Sequence, residues 1–189
     1  MRGFACIFAG LLGLILSEQQ AVAGQPFAAP FWVSEIKIGG LAHGEGFLSN
    51  SGERGTDISL DVLFKEPQWK AWNHIYQPRP FIGASFNLNG YTDQLYGGLA
   101  WQWQNNRHIF WGGGFGLAVH DGELIKKYPG QKDRALGSRV LFRSEVEVGY
   151  YFHQNHNISF ALSHISHAGL FNDENEGLDT FGIKYGYKF

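Results

Sequence analysis

The segment Ile109-Phe110-Trp111-Gly112-Gly113-Gly114-Phe115-Gly116-Leu117-Ala118-Val119 decides the fold. At period two, Ile109, Trp111, Gly113, Phe115, Leu117 and Val119 share one side of an extended chain. Gly112, Gly114, Gly116 and Ala118 fall on the other. Successive side chains of a strand point to opposite faces, so one face here is bulky and apolar and the other is nearly bare. That contrast suits a small closed barrel, in which glycine leaves room inside and the bulk lies outside. A phosphate-binding loop at Gly112-Gly113-Gly114 is the weaker reading, because no helix follows it.

The same alternation recurs on both sides of this segment and divides the chain into about eight strands. The first runs roughly from Trp32 to Gly44. The second, Thr56 to Lys65, aligns Ile58, Leu60, Val62 and Phe64, and the third, Phe81 to Leu88, aligns Ile82, Ala84, Phe86 and Leu88. The fourth, Gln94 to Gln104, sets Leu95, Leu99, Trp101 and Trp103 against Tyr96, Ala100, Gln102 and Gln104. In the sixth, Ser138 to His153, Val140, Phe142, Val146, Val148 and Tyr150 oppose Arg139, Arg143, Glu145 and Glu147. The seventh spans Asn157 to Ser166. The eighth sets Asp179, Phe181, Ile183, Tyr185, Tyr187 and Phe189 against Gly182, Lys184, Gly186 and Lys188.

Strands of about ten residues with this dyad pattern are the signature of an outer-membrane barrel. The expected fold is therefore all-β, an eight-stranded antiparallel transmembrane barrel. Its narrow interior would hold Asp61, Arg143, Glu145, Glu147 and Lys184 in pairs, and Trp101, Trp103, Trp111, Tyr150 and Tyr187 would form an interfacial girdle. A soluble sandwich or ligand-binding barrel would show the same alternation with the bulky face turned inward. Export, strand length and the terminal Phe189 favour the membrane. With both termini periplasmic, odd strands run outward, and 105–107 and 154–156 become short inner turns. The connection 66–80 is long for an inner turn. Its Trp69, Lys70, Ala71, Trp72 and Asn73 suggest a short amphipathic helix at the inner interface.

Residues 1–23 read as a cleaved export signal, leaving 24–189 as one domain. Arg2 is followed by the uncharged apolar run Phe4 to Leu16 and by Ala21-Val22-Ala23, an A-x-A site. The single cysteine, Cys6, lies inside that signal. A mature chain without cysteine has no disulfide and no thiolate nucleophile or metal ligand. A net charge of −2 gives no hint of nucleic-acid binding. The histidines outside the seventh strand lack metal-ligand spacing, and 172–176 lacks that of a calcium loop.

Chemistry concentrates at the end of the seventh strand. His164 and Ser166 share the face of Ile158, Phe160 and Leu162, which should meet lipid near the outer rim. Asp179, at the outer start of the eighth strand, lies on the same face. Antiparallel neighbours can therefore bring base, hydroxyl and carboxylate together. Such a set makes serine a nucleophile, with the acid holding the imidazole's tautomer. Polar groups turned toward hydrocarbon are costly unless they serve a function.

The stretch His164-Ile165-Ser166-His167-Ala168-Gly169-Leu170, followed by Asn175-Glu176-Gly177-Leu178-Asp179, resembles the PagL family of lipid A 3-O-deacylases. The resemblance implies an outer-membrane esterase that removes the ester-linked 3-hydroxyacyl chain at position 3 of lipid A. It assigns Ser166 as nucleophile, His164 as base and Asp179 as acid, with Glu176 as the rival acid because the family usually carries Glu there. It places an oxyanion donor at position 167, where this chain has His167 in place of the family's Asn; an imidazole N–H can still donate there, and the Gly169 backbone N–H can supply a second hydrogen bond. No cofactor or metal is implied. The implied partners are lipid A or lipopolysaccharide in the outer leaflet and membrane lipid, not nucleic acid, with a homodimer left open. Lys126, Lys127, Lys132 and Arg134 in the fifth-to-sixth loop suggest contacts to lipid A phosphates or a merely solvated loop. Two other readings stay open: a structural or adhesive barrel, and a different acyl hydrolase or acyltransferase using the same site.

Overall fold

The alternation is realised as eight strands: β1 (Val33–His43), β2 (Gly55–Phe64), β3 (Arg79–Asn87), β4 (Gln94–Gln104), β5 (Ile109–His120), β6 (Val140–Tyr151), β7 (His156–Ser166) and β8 (Leu178–Lys188). The structure, a computed structural model, describes residues 32–45, 48, 52–105, 108–170 and 175–189. The export signal expected over 1–23 lies outside them. Each strand pairs antiparallel with its sequence neighbour, and β8 pairs back onto β1 from Glu35↔Lys188 to His43↔Thr180. Closure leaves no edge strand to be satisfied by lipid, which cannot hydrogen-bond.

The bulky face points outward. Ile38, Ile58, Phe115, Val146 and Ile183 are exposed on the barrel wall, which excludes the soluble-barrel alternative. The expected girdle collects at one end only. Trp103 pairs with Trp111, Ile109 with Tyr150 and His156 with Tyr187, all at the inner ends of their strands. There the connection after β2 forms a 3-10 helix, Lys70–Ile75. Trp101 ties this helix to the wall, its indole N–H donating to the Ile75 carbonyl at 2.7 Å.

Inside, small residues let the wall close. Gly98 and Gly116 face each other in register. A Cβ on Gly98 would lie 2.2 Å from the Phe115 carbonyl oxygen, and one on Gly116 would lie 2.1 Å from that of Gly97. The remaining space holds ion pairs. Lys184 Nζ lies 2.8 Å from Asp61 and 2.9 Å from Glu145, while Arg143 meets Glu145 at 2.6 Å. Toward the inner end, Lys37 meets Glu147 at 2.6 Å and Arg79 meets Glu35 at 2.7 Å. Arg79 also pairs with Ala100 in the ladder, so β3 starts two residues before the expected Phe81. Each of these charges has a partner, without which burial would be strongly unfavourable.

A buried polar cluster lies at the outer end of the barrel. His43 lies between Asp57, 2.9 Å from Nδ1, and Glu53, 3.0 Å from Nε2. Backbone N–H groups of Arg134 and Thr92 donate to Glu53 at 2.8 and 3.2 Å. Loops from three inter-strand connections thus converge on one buried carboxylate.

Candidate active site

Register decides which side chains meet on the outer wall. Phe115 of β5, Ser144 of β6, His164 of β7 and Asp179 of β8 are successive cross-strand partners. The next row toward the outside holds Leu117, Phe142 and Ser166. His164 Nδ1 lies 2.6 Å from Asp179 Oδ1. A carboxylate only accepts, so Nδ1 carries the proton in this bond and the Nε2 lone pair is left as the basic position.

Asp179 shares the outward parity of Phe181 and Ile183, yet it is fully buried. The loop after β1 covers it. The Leu48 N–H donates to its second carboxylate oxygen at 2.8 Å, and the Gly44 N–H donates to its backbone carbonyl at 2.9 Å. Cover of this kind excludes lipid and strengthens the electrostatic hold on the imidazole. His164 stays partly open, with 20% of its side chain exposed.

The far edge of the ring lies against Gly177. A Cβ there would come within 2.8 Å of His164 Cε1 and 3.5 Å of Nε2. Gly177 also adopts φ +63°, a conformation that suits glycine. Its carbonyl accepts from Arg134 Nη1 at 3.1 Å, and Arg134 Nη2 donates to the Gly44 carbonyl at 2.9 Å. Arg134 is buried to 1% exposure. One guanidinium therefore links the segment covering Asp179 to the segment lining His164. Burial pulls the Arg134 pKa below its usual value, against the attraction of Glu53, Glu176 and Asp179. An arginine keeps its charge nonetheless.

Beside His164, an open groove of about 300 Å³ is lined by Phe115, Phe142, Ser144, His164, Ser166 and Ala168. It lies on the outward, lipid-facing wall. Ser166 lines it and is partly exposed. No hydrogen bond joins Ser166 to His164 among the described residues. Catalytic hydrogen bonds are often long before substrate binds.

The other candidates lie as follows. Glu176 accepts from the Ala135 N–H at 2.8 Å and pairs with Lys126, so its carboxylate is engaged away from His164. His167 has a fully buried ring, and its backbone N–H donates to Asn175 Oδ1 at 3.2 Å. Gly169 is exposed in a tight turn in which Ala168 and Gly169 have φ +53° and +72° and the Leu170 N–H returns to the His167 carbonyl at 3.0 Å. Of the basic residues considered for phosphate, Lys127 pairs with Glu123 at 2.8 Å, Lys126 is paired as above, Arg134 is buried and Lys132 is exposed. Among the described residues no cluster of three His, Cys, Asp or Glu is arranged to hold a metal.

Ser144, Gly177 and Leu48 are absent from the sequence-based site, and Arg134, considered there only for phosphate, instead holds the Gly177 and Gly44 carbonyls. Ser144 does leave a trace there, as the one interruption in the apolar face of β6 between Phe142 and Val146.

Fold and site together define an outer-membrane β-barrel with a histidine–carboxylate pair and a neighbouring serine on its lipid-facing wall. Residues 58–188 match the family described as lipid A 3-O-deacylase (PagL). The chain belongs to that family of outer-membrane enzymes. Among solved structures, the crystal structure of the outer membrane enzyme PagL is similar, with a TM-score of 0.62 at 18% identity, covering 82% of this chain and all of that one. The outer membrane protein Ail of Yersinia pestis, determined in a phospholipid bilayer nanodisc, is more distant, with a TM-score of 0.45 at 12% identity over 84% of this chain and 99% of that one. No curated protein matches the chain.

Proposed function

We propose that this protein is a serine esterase that removes the ester-linked 3-hydroxyacyl chain from position 3 of lipid A. The observation that carries this reading is the 2.6 Å bond between His164 and Asp179 on the outer wall, in the row next to Ser166. A base whose tautomer is held by a buried carboxylate, beside a hydroxyl in an apolar groove, suits attack on an ester embedded in a membrane.

In the proposed reaction, His164 Nε2 takes the Ser166 hydroxyl proton as Oγ attacks the acyl carbonyl carbon. The carbonyl π electrons move to oxygen, forming a tetrahedral oxyanion. Collapse breaks the bond to the sugar oxygen, which leaves with the proton from His164. Water then attacks the acyl-enzyme, again giving a proton to Nε2. The 3-hydroxy fatty acid departs and Ser166 recovers its proton. Asp179 stabilises the imidazolium in both halves without itself taking a proton. The Gly169 N–H, on the exposed turn, is the readier oxyanion donor, whereas His167 must turn a buried ring outward to serve. The scheme uses no metal or cofactor.

The test is mass spectrometry of lipid A from a Gram-negative host expressing the wild-type chain or Ser166→Ala. Loss of one 3-hydroxyacyl group with wild type alone supports the reading. Unchanged lipid A with both proteins folded in the outer membrane points instead to a structural or adhesive barrel, and an acyl chain recovered on another lipid points to a transferase.

A further inference from the structure

The outward face of β6 is apolar except at one position. Val140, Val146, Val148 and Tyr150 are exposed to lipid, and Phe142 is partly so. Ser144 is exposed among them. It stands between Phe115 and His164 in the cross-strand row, so the polar row Asp179–His164 continues for one strand beyond the base. The Ser144 hydroxyl has no hydrogen-bond partner among the described residues, and it lines the same groove as Ser166 and His164.

We propose that Ser144 is a specificity-determining residue that hydrogen-bonds the hydroxyl on carbon 3 of the scissile acyl chain. The inference rests on the esterase reading above. Phe142 is the direct partner of Ser166, and Ser144 is the diagonal one. Diagonal neighbours on a sheet face lie about 7–8 Å apart, with side chains closing part of that gap. An acyl carbonyl carbon under attack sits about 3 Å from the serine oxygen. The 3-hydroxyl oxygen is two carbon–carbon bonds and one carbon–oxygen bond further along, within reach of a group at the diagonal position. The rest of the chain then runs over Phe115 and Phe142, which stack with ring centroids 6.1 Å apart. A plain acyl chain in the same groove would leave Ser144 without a partner, in an environment that supplies no water to replace it.

One neutral hydrogen bond of this kind corresponds to a preference of up to about tenfold. The experiment is a competition in mixed micelles with purified wild-type, Ser144→Ala and Ser144→Thr proteins. Two lipid A substrates compete, differing only in whether the acyl chain at position 3 carries the 3-hydroxyl, and released fatty acids are read by mass spectrometry. Wild type should favour the hydroxylated substrate. Ser144→Ala should slow its cleavage several-fold more than that of the plain ester, bringing the ratio toward one, and Ser144→Thr should restore part of the preference. An unchanged ratio in Ser144→Ala overturns the assignment, and where it comes from equal slowing on both substrates it would mark Ser144 as a support for His164. If wild type cleaves neither ester, the esterase reading itself fails.

Discussion

Gly177 takes up the space beside the imidazole of His164 that any other residue would have to share with it. A methyl at this position would press on Cε1 at 2.8 Å and lie 3.5 Å from Nε2, the nitrogen assigned to accept the serine proton. The backbone at Gly177 is in turn held by Arg134. The orientation of the proposed base is therefore constrained from two sides, by Asp179 and by this glycine.

Gly177→Ala should accordingly lower kcat/KM for lipid A deacylation by on the order of a hundredfold, as expected when a reacting group moves by about 1 Å. The barrel should still form, since Gly177 precedes β8 and pairs with no strand interior. Folding is checked by heat-modifiable migration on a gel. A variant that folds and keeps wild-type kcat/KM would show that the ring is not positioned from this side.

Asp179 and Glu176 differ in what they touch, and their amide variants should differ accordingly. Asp179→Asn keeps the shape but favours the wrong imidazole tautomer, and kcat should fall about 10³- to 10⁴-fold. Glu176→Gln loses its pairing with Lys126, which lies at the exposed rim. It should change kcat by less than about tenfold. Kinetics on the two purified variants decide between them, and the reverse ranking would transfer the acid role to Glu176.

Glu53 supplies a pH dependence of stability. Burial raises its pKa, but hydrogen bonds from His43, the Arg134 N–H and the Thr92 N–H outweigh this and hold it below its usual value. A carboxyl whose pKa is lower folded than unfolded stabilises the native state above its unfolded value, about 4.3. That contribution disappears as pH falls through the folded value. Asp93, whose carboxyl burial pushes upward, acts in the opposite sense, so the comparison must isolate Glu53. Urea midpoints in detergent micelles, followed by tryptophan fluorescence, should fall for wild type between pH 5 and pH 3. Glu53→Gln should start lower at pH 6 and change less over the same range. Parallel curves would remove Glu53 as the cause.

The barrel wall was legible because a strand writes its two faces alternately into the chain. Ile109 to Val119 shows the contrast directly, and Asp61, Arg143, Glu145 and Lys184 meet inside as their parity requires. Parity also put His164 and Asp179 on one face, and adjacent strands did the rest. Contacts made by loops carry no period. Nothing in the residues around Leu48 or Arg134 announces that one covers Asp179 and the other holds Gly177, because each partner is distant along the chain. Strand parity alone would also have left Asp179 open to lipid; its burial comes from the loop above it.

The one-sided distribution of the wall residues bears on how substrate arrives. The girdle marks the periplasmic rim, the groove beside Ser166 lies at the opposite end, and ion pairs and close-set glycines fill the interior between them. On the esterase reading, a lipid substrate would therefore reach the groove sideways, by diffusion within the surface leaflet. Encounter is then two-dimensional, and turnover should follow the mole fraction of substrate among the neighbouring lipids rather than its concentration in the surrounding medium. With the termini periplasmic, as the sequence leads one to expect, molecules still in transit on that side would not meet the site, and the proposed modification would come after the lipid has been delivered to the cell surface.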